Sequence, residues 1–163
     1  MVTERFPKLT ICGVHELDAL ELSNFSHVIS IWDPVWMDRG SHIEKLRGKL
    51  APEAKAHFTY MHDISAPTDE QVLPTAEKIA EILEFGRGIT DADNLLVHCW
   101  AGVSRSTAVA YSLLCSLTEP GEEKKCLSTM RESRPQAMPN ELIISLADDL
   151  LDRRGAMARA CKK

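Results

Sequence analysis

HCWAGVSRS, His98 to Ser106, directly follows the apolar run Leu95-Leu96-Val97, and its reading decides how the rest of the chain is organised. Asn94 to Cys99 is short, apolar and bounded by a turn residue, which reads as a strand. From Val103 to Leu117 the chain is apolar nearly all round, through Val109, Leu113, Leu114 and Leu117. That pattern predicts a central, buried helix. The loop between the two carries a cysteine at its start, a glycine in its middle and an arginine six positions after the cysteine. Packing and turn chemistry explain each residue singly. They do not explain the spacing.

Outward from that unit, three more strand-like runs appear at Leu9 to Cys12, His27 to Trp32 and His57 to His62, each bounded by Gly, Pro, Asp or Asn. Leu73 to Phe85 places Ala76, Ile79, Ala80 and Leu83 at helical spacing. Pro74 fits its first turn, where a missing N–H costs nothing. A start at Thr68, with Gln71 closing a capping box, would put Pro74 inside the helix. Glu122 to Glu132 is amphipathic through Cys126, Leu127 and Met130 and should stop before Pro135. A last helix runs from Asn140, its N-cap, to Arg153, with Arg153 and Arg154 near its C-terminus. Asp38 to Lys55 reads as a helix around Ile43 to Arg47 followed by a loop. The alternation predicts an α/β fold, with a short, mostly parallel central sheet of four or five strands flanked by helices.

The 163 residues fit a single domain, 1–163, with a substantial core. A hydrophobic fraction of 44% and a charged fraction of 26% are ordinary for a soluble globular chain. A net charge of −5 argues against a general nucleic-acid or anionic-membrane binder, which needs a basic face. MVTERFPKLT lacks the apolar core of a signal peptide, and no stretch approaches a membrane span. Cys12, Cys99, Cys115, Cys126 and Cys161 are odd in number and form no CxxC pair, which predicts reduced thiols in a cytoplasmic protein.

The loop from Cys99 to Arg105 should sit at the C-terminal edge of its strand, where open α/β sheets bind ligands. Successive backbone N–H groups in such a turn can form a nest for an oxyanion, and the following helix N-terminus adds partial positive charge. Gly102 permits backbone angles that other residues resist. Arg105 in the first turn opposes the helix dipole, which makes sense if it grips a dianion bidentately. Cys99 at the base would feel nest, dipole and guanidinium together, influences that favour a thiolate nucleophile.

Cys99, then five residues, then Arg105 and Ser106, resembles the signature of the cysteine-dependent protein tyrosine phosphatase superfamily. HCWAGVSRS is most similar to its dual-specificity branch, and within that superfamily the chain resembles small bacterial predicted tyrosine phosphatases. RESRPQAMPNEL, Arg131 to Leu142, is similar to the Arg-Pro…Pro-Asn segment that opens the last helix in that branch. Asp63, 36 residues before Cys99, lies where the branch keeps its general-acid loop. The likeness covers about residues 57 to 150, and the first 50 residues match only in strand–helix order.

The resemblance implies that Cys99 attacks phosphorus and carries a phosphoryl-cysteine intermediate. Backbone N–H groups of Trp100, Ala101, Gly102, Val103, Ser104 and Arg105 would cradle the phosphate oxygens, with the Arg105 side chain completing the cradle. Asp63 would protonate the leaving oxygen and then activate water. Ser106 would hydrogen-bond the departing thiolate, and His98 would support the loop. No metal or cofactor is implied, and the partner would be a phosphorylated protein or another phosphomonoester.

Simpler readings stand beside these. A cysteine after an apolar run is commonly an inert core residue. Asp63 alone is a weak signal, and Asp69 competes with it. His57 and His62 have opposite parity on one strand, which keeps them from sharing a metal. Trp32 and Trp36 read as packing residues, with Trp36 in a plausible rim loop. Asn140 reads as a cap. The loop has no lysine, unlike many phosphoinositide-directed relatives, which favours an aryl or protein phosphate, phosphotyrosine first. Two other classes are a phosphate-recognising module without turnover and a rhodanese-like sulfurtransferase, in which Ser106 and Asp63 would have no role.

Overall fold

The computed structural model describes residues 6–34, 39–64, 66 and 71–162. Four parallel strands, β1 (Lys8–Gly13), β2 (His27–Trp32), β3 (Lys55–Tyr60) and β4 (Asn94–Cys99), form a sheet in the order β1-β4-β2-β3. Their side chains alternate between two apolar layers. Leu95, Val97 and Cys99 of β4 face one layer with Ile29 and Ile31, whereas Leu96 faces the other with Cys12, Val28 and Trp32. The first layer is closed by helices α2 (Ala76–Gly86), α3 (Arg105–Ser116), α4 (Glu123–Ser133), α5 (Glu141–Leu150) and α6 (Ala156–Cys161). The second is closed by α1 (Arg39–Lys49) and two short 3-10 turns, Val14–Ala19 and Leu22–Asn24. A strand covered on both faces needs no polar side, which is why β2 and β4 read as near-continuous apolar runs.

Several boundaries differ from those expected. β3 starts and stops two residues early, because Lys55 N–H already pairs with Ser26 and His62 leaves the ladder to bond Val72 through both its backbone and its ring. His57 and His62 are therefore not on one strand at all. α2 begins after Thr75, whose hydroxyl accepts from Lys78 N–H at 3.2 Å, so Pro74 precedes the cap rather than occupying the first turn. Ala76 and Ala80 face outward, and Ile79, Ile82, Leu83 and Gly86 are the buried face. α1 is longer than Ile43 to Arg47. The last predicted helix stops at Leu150, because Asp152 and Arg154 take positive φ before Gly155, and α6 follows as a separate element.

Arg153 does not cap a helix by charge. It turns inward to pair with buried Glu123 at 2.5 Å and to donate to the carbonyls of Cys115 and Thr118. Both side chains are more than nine-tenths buried, so removing one leaves the other charge without its partner. Arg153→Met should lower unfolding free energy by about 3 kcal/mol in urea titration, and adding Glu123→Gln should restore a measurable part of it.

Candidate active site

The C-terminal end of β4 delivers the chain into the loop 99–104, and α3 begins at Arg105. Every carbonyl of that loop has a partner on the loop's outer side or in the following helix. Cys99 O lies 3.3 Å from His98 Nδ1, and Trp100 O accepts from Val14 N–H at 2.9 Å. Ala101 O and Gly102 O accept from the Arg134 guanidinium at 3.1 and 2.9 Å. Val103 O accepts from Met138 N–H and Ser104 O from Asn140 N–H, and the Thr107 hydroxyl reaches both. In a trans peptide the N–H points opposite to the C=O. Fixing the carbonyls outward therefore aims the amides inward, and Gly102 N–H indeed reaches Cys99 Sγ at 3.3 Å.

This packing needs two glycines. Gly102 sits at φ +72°, and a Cβ there would lie 2.5 Å from the carbonyl carbon of Cys12. A Cβ on Gly13 would lie 2.7 Å from Trp100 O. The end of β1 and the loop touch backbone to backbone, which only glycine permits.

Cys99 is buried at the floor of a pocket of about 440 Å³, with Trp100 on the wall and Arg105, Asp33 and Asp63 around it. Its sulfur lies 3.1 Å from Ser106 Oγ. Arg105 is 4% exposed and donates through Nη1 to Asp33 at 2.7 Å and to Met61 O at 2.8 Å. Its Nε is buried with no partner among the described residues. A buried guanidinium N–H without an acceptor, beside inward amides, is complementary to an oxyanion.

Asp63 is exposed at the pocket edge, and one of its oxygens, Oδ1, accepts from both Ser104 Oγ at 2.7 Å and Asn140 Nδ2 at 2.9 Å. Asn140 also donates to Ile64 O and accepts from Ile143 N–H as the cap of α5. Capping accounts for one of its three side-chain hydrogen bonds, and the other two run to Asp63 and Ile64. The Pro139-Asn140 pair within the phosphatase-like segment is the sequence signal for those two. Arg134 is the arginine of the Arg134-Pro135 pair in that same segment, and its grip on two loop carbonyls, like the pairing of Asp33 with Arg105 across 72 positions, shows only in the structure. Asp69 and Trp36 lie outside the described residues.

His98 is completely buried on the opposite face of β4, edge-on to Trp32. Burial pushes its pKa down to about 4, with the Arg105 charge adding to the effect. The ring is therefore neutral near pH 7. Cys99 O can only accept, so Nδ1 carries the proton, and Nε2 accepts from the Ser30 hydroxyl at 2.6 Å. Ser30 in turn accepts from Trp32 Nε1. The support thus runs from Trp32 through Ser30 and His98 to the base of the loop. Cys12, although adjacent in backbone, packs in the layer opposite Cys99, and burial pushes its thiol up to about 12.

No family model matches the chain. It is 32% identical over 127 residues to dual specificity protein phosphatase 15 of Rattus norvegicus, covering 76% of this chain and 51% of that one. The chain thus spans about half the length of the curated relatives it matches. Among solved structures, DUSP15 aligns with a TM-score of 0.56 at 21% identity over 97% of this chain and 93% of that one. PTPMT1 in complex with PI(5)P aligns with a TM-score of 0.58 at 13% identity over 95% and 97%. The fold is that of the protein tyrosine phosphatases. With its signature loop and its sequence likeness, the chain belongs to the cysteine-dependent protein tyrosine phosphatase superfamily, in its dual-specificity-like branch.

The His98 environment predicts a particular acid sensitivity. Its folded pKa lies below the ordinary 6.5, so the unfolded chain takes up the proton first as pH falls. Stability contributed by neutral His98 should be complete above pH 6.5 and lost on descending to about pH 4. Urea unfolding across that window should show wild type losing about 3 kcal/mol more than His98→Gln. Parallel losses in the two proteins would mean that His98 is not held neutral by the fold.

Proposed function

We propose that the protein is a phosphomonoester hydrolase acting through a phosphoryl-cysteine intermediate, most active on phosphotyrosine and open to dual specificity. The observation that carries this reading is Cys99 Sγ lying beneath inward-turned amides and the partnerless Nε of Arg105. Such a floor holds three phosphate oxygens while leaving phosphorus facing sulfur. Phosphoryl transfer asks mainly for that positioning and charge stabilisation.

In the first step the Cys99 thiolate forms an S–P bond as the P–O bond to the leaving group breaks, and Asp63 gives its proton to the departing oxygen. In the second step water attacks phosphorus and passes a proton to the Asp63 carboxylate. The S–P bond breaks, inorganic phosphate leaves, and Ser106 donates to the returning thiolate. Arg105 and the loop amides hold the equatorial oxygens in both steps. Ser104 and Asn140 both occupy Asp63 Oδ1 as acceptor, which leaves Oδ2 for the transferable proton. His98, held neutral, acts through the Cys99 carbonyl.

The substrate reading rests on the wall of the pocket. Trp100 is 39% exposed and packs edge-on with His15 at 5.0 Å, presenting an aromatic surface beside the anion site. Trp100, Ala101, Gly102, Val103 and Ser104 add no cation beyond Arg105 for a second phosphate. That favours phosphotyrosine over a polyphosphorylated lipid headgroup.

A turnover panel of phosphotyrosine and phosphothreonine peptides and PI(5)P tests the class. Phosphotyrosine should give the highest kcat/KM, and Cys99→Ser should abolish turnover on all three without loss of fold. Appreciable hydrolysis by that variant would remove the thiolate mechanism.

A second test separates the acid from its surroundings. Tyrosine leaves as a strong base near pKa 10 and needs protonation, whereas an activated nitrophenol needs little. Asp63→Asn should slow phosphotyrosine turnover by about 10²–10⁴-fold, with a distinctly smaller loss in the burst phase on an activated aryl phosphate. Equal, small losses on both substrates would place the acid elsewhere, with Asp69 the next residue to substitute.

A further inference from the structure

Glu16 is 118 residues from Arg134 in sequence, yet its two oxygens meet the guanidinium at 2.8 and 2.6 Å. The same carboxylate accepts from Gly13 N–H at 2.9 Å, so it is fixed to the end of β1 as well. Arg134 spends its remaining contacts on Gly102 O through Nε and on Ala101 O through Nη2. These are the outward carbonyls of the two peptide planes whose N–H groups belong to Gly102 and Val103. One fork of the guanidinium therefore holds the acid, and its other edge holds the loop.

We propose that Glu16 is a positioning residue for the phosphate loop, acting through Arg134 to fix the Ala101–Gly102 and Gly102–Val103 peptide planes with their amides turned toward the anion. The proposal rests on the phosphatase reading of that loop. A lone Arg134 has several rotamers that satisfy some carbonyl or reach solvent. The planar two-pronged contact with Glu16 selects the one rotamer that spans both carbonyls. Arg134 and Gly13 hold the Glu16 carboxyl at about 2, so the strut stays ionised throughout an ordinary assay range.

This role has a sign that simple electrostatics does not. Glu16 places a negative charge near a site built for a dianion, so removing that charge alone should tighten anion binding. Loss of a positioning strut should weaken it. Glu16→Gln keeps an acceptor for Gly13 N–H and loses the charged fork. Tungstate affinity measured by calorimetry, well below the melting temperature of each protein, reads the loop without requiring turnover. We expect Glu16→Gln to weaken tungstate binding about tenfold, the scale of one charge-assisted hydrogen bond, and by a similar factor at 50 and 300 mM salt. In an Arg134→Met background, Glu16→Gln should change affinity less than twofold, since the strut is already gone.

Unchanged or tighter binding by Glu16→Gln would overturn the proposal even where Arg134→Met does not fold. Equal, additive losses in both backgrounds would also overturn it, because Glu16 would then act without Arg134. If wild type neither binds tungstate nor hydrolyses phosphotyrosine, the phosphatase reading fails and this role with it. Wild-type activity combined with an indifferent Glu16→Gln would remove only the strut.

Discussion

The six carbonyls of the 99–104 loop determine what the rest of the structure must supply. An anion site made of backbone amides has no side chains to adjust; its geometry is the geometry of the peptide planes. Those planes are set from outside, by Val14 directly after β1, by the segment after α4 through Arg134, Met138 and Asn140, and by α3 through Thr107. Elements with no residue in the pocket are thus part of the site. The sheet order has the same logic: β4 lies between β1 and β2, so both neighbours reach the end of the strand that carries Cys99.

Charge is arranged on the same plan. The chain carries a net −5, and both arginines at the candidate anion site are paired with carboxylates. Arg105 faces inward and is partly neutralised by Asp33, and Arg134 sits behind the loop and is neutralised by Glu16. Glu16 holds Arg134 on the edge away from the loop carbonyls, whereas Asp33 lines the pocket and takes Nη1 of Arg105, leaving its Nε without a partner among the described residues. A guanidinium is suited to this because its planar fork can bind an acid on one edge and leave N–H groups on another. Lysine, with its point charge on a flexible stem, could not divide its contacts in this way. Neutral His98 completes the arrangement by supporting the loop without adding a third charge.

The fold and the centre of the site were legible because they are local in sequence. β2 and β4 match their expected bounds, since buried parallel strands write themselves as apolar runs. Cys99, Gly102, Arg105 and Ser106 fall within eight residues and can be read as one unit. What was not legible is non-local. Ser30 and His98 pair across 68 positions, Asp33 and Arg105 across 72, and Glu16 and Arg134 across 118. Glu16 shows only a carboxylate three residues after a glycine, which reads as an ordinary first-turn acid. The end of the last predicted helix failed for another reason. Nothing in an arginine pair near a helix terminus reveals that one side chain will turn inward to meet a buried glutamate.

Asp63 shows how far the cradle and the proposed acid are a single mechanical unit. It is exposed and lies on a loop, the circumstances in which a carboxylate ordinarily samples many rotamers. Here Ser104 belongs to the 99–104 loop and Asn140 to the cap of α5, and both donate to the same oxygen. The Asn140 backbone N–H holds the Ser104 carbonyl as well, which closes a ring through Ser104, Asp63 and Asn140. Turning the Ser104 peptide inward or outward would therefore also move the acid. Asp63 Oδ2 stays outside that ring, which leaves it for the proton transfer proposed above. A loop acid gains in this way the precision of the sheet edge without residing on it. Because Asn140 also caps α5, fraying at that helix start would release the acid and slacken the Ser104 carbonyl together.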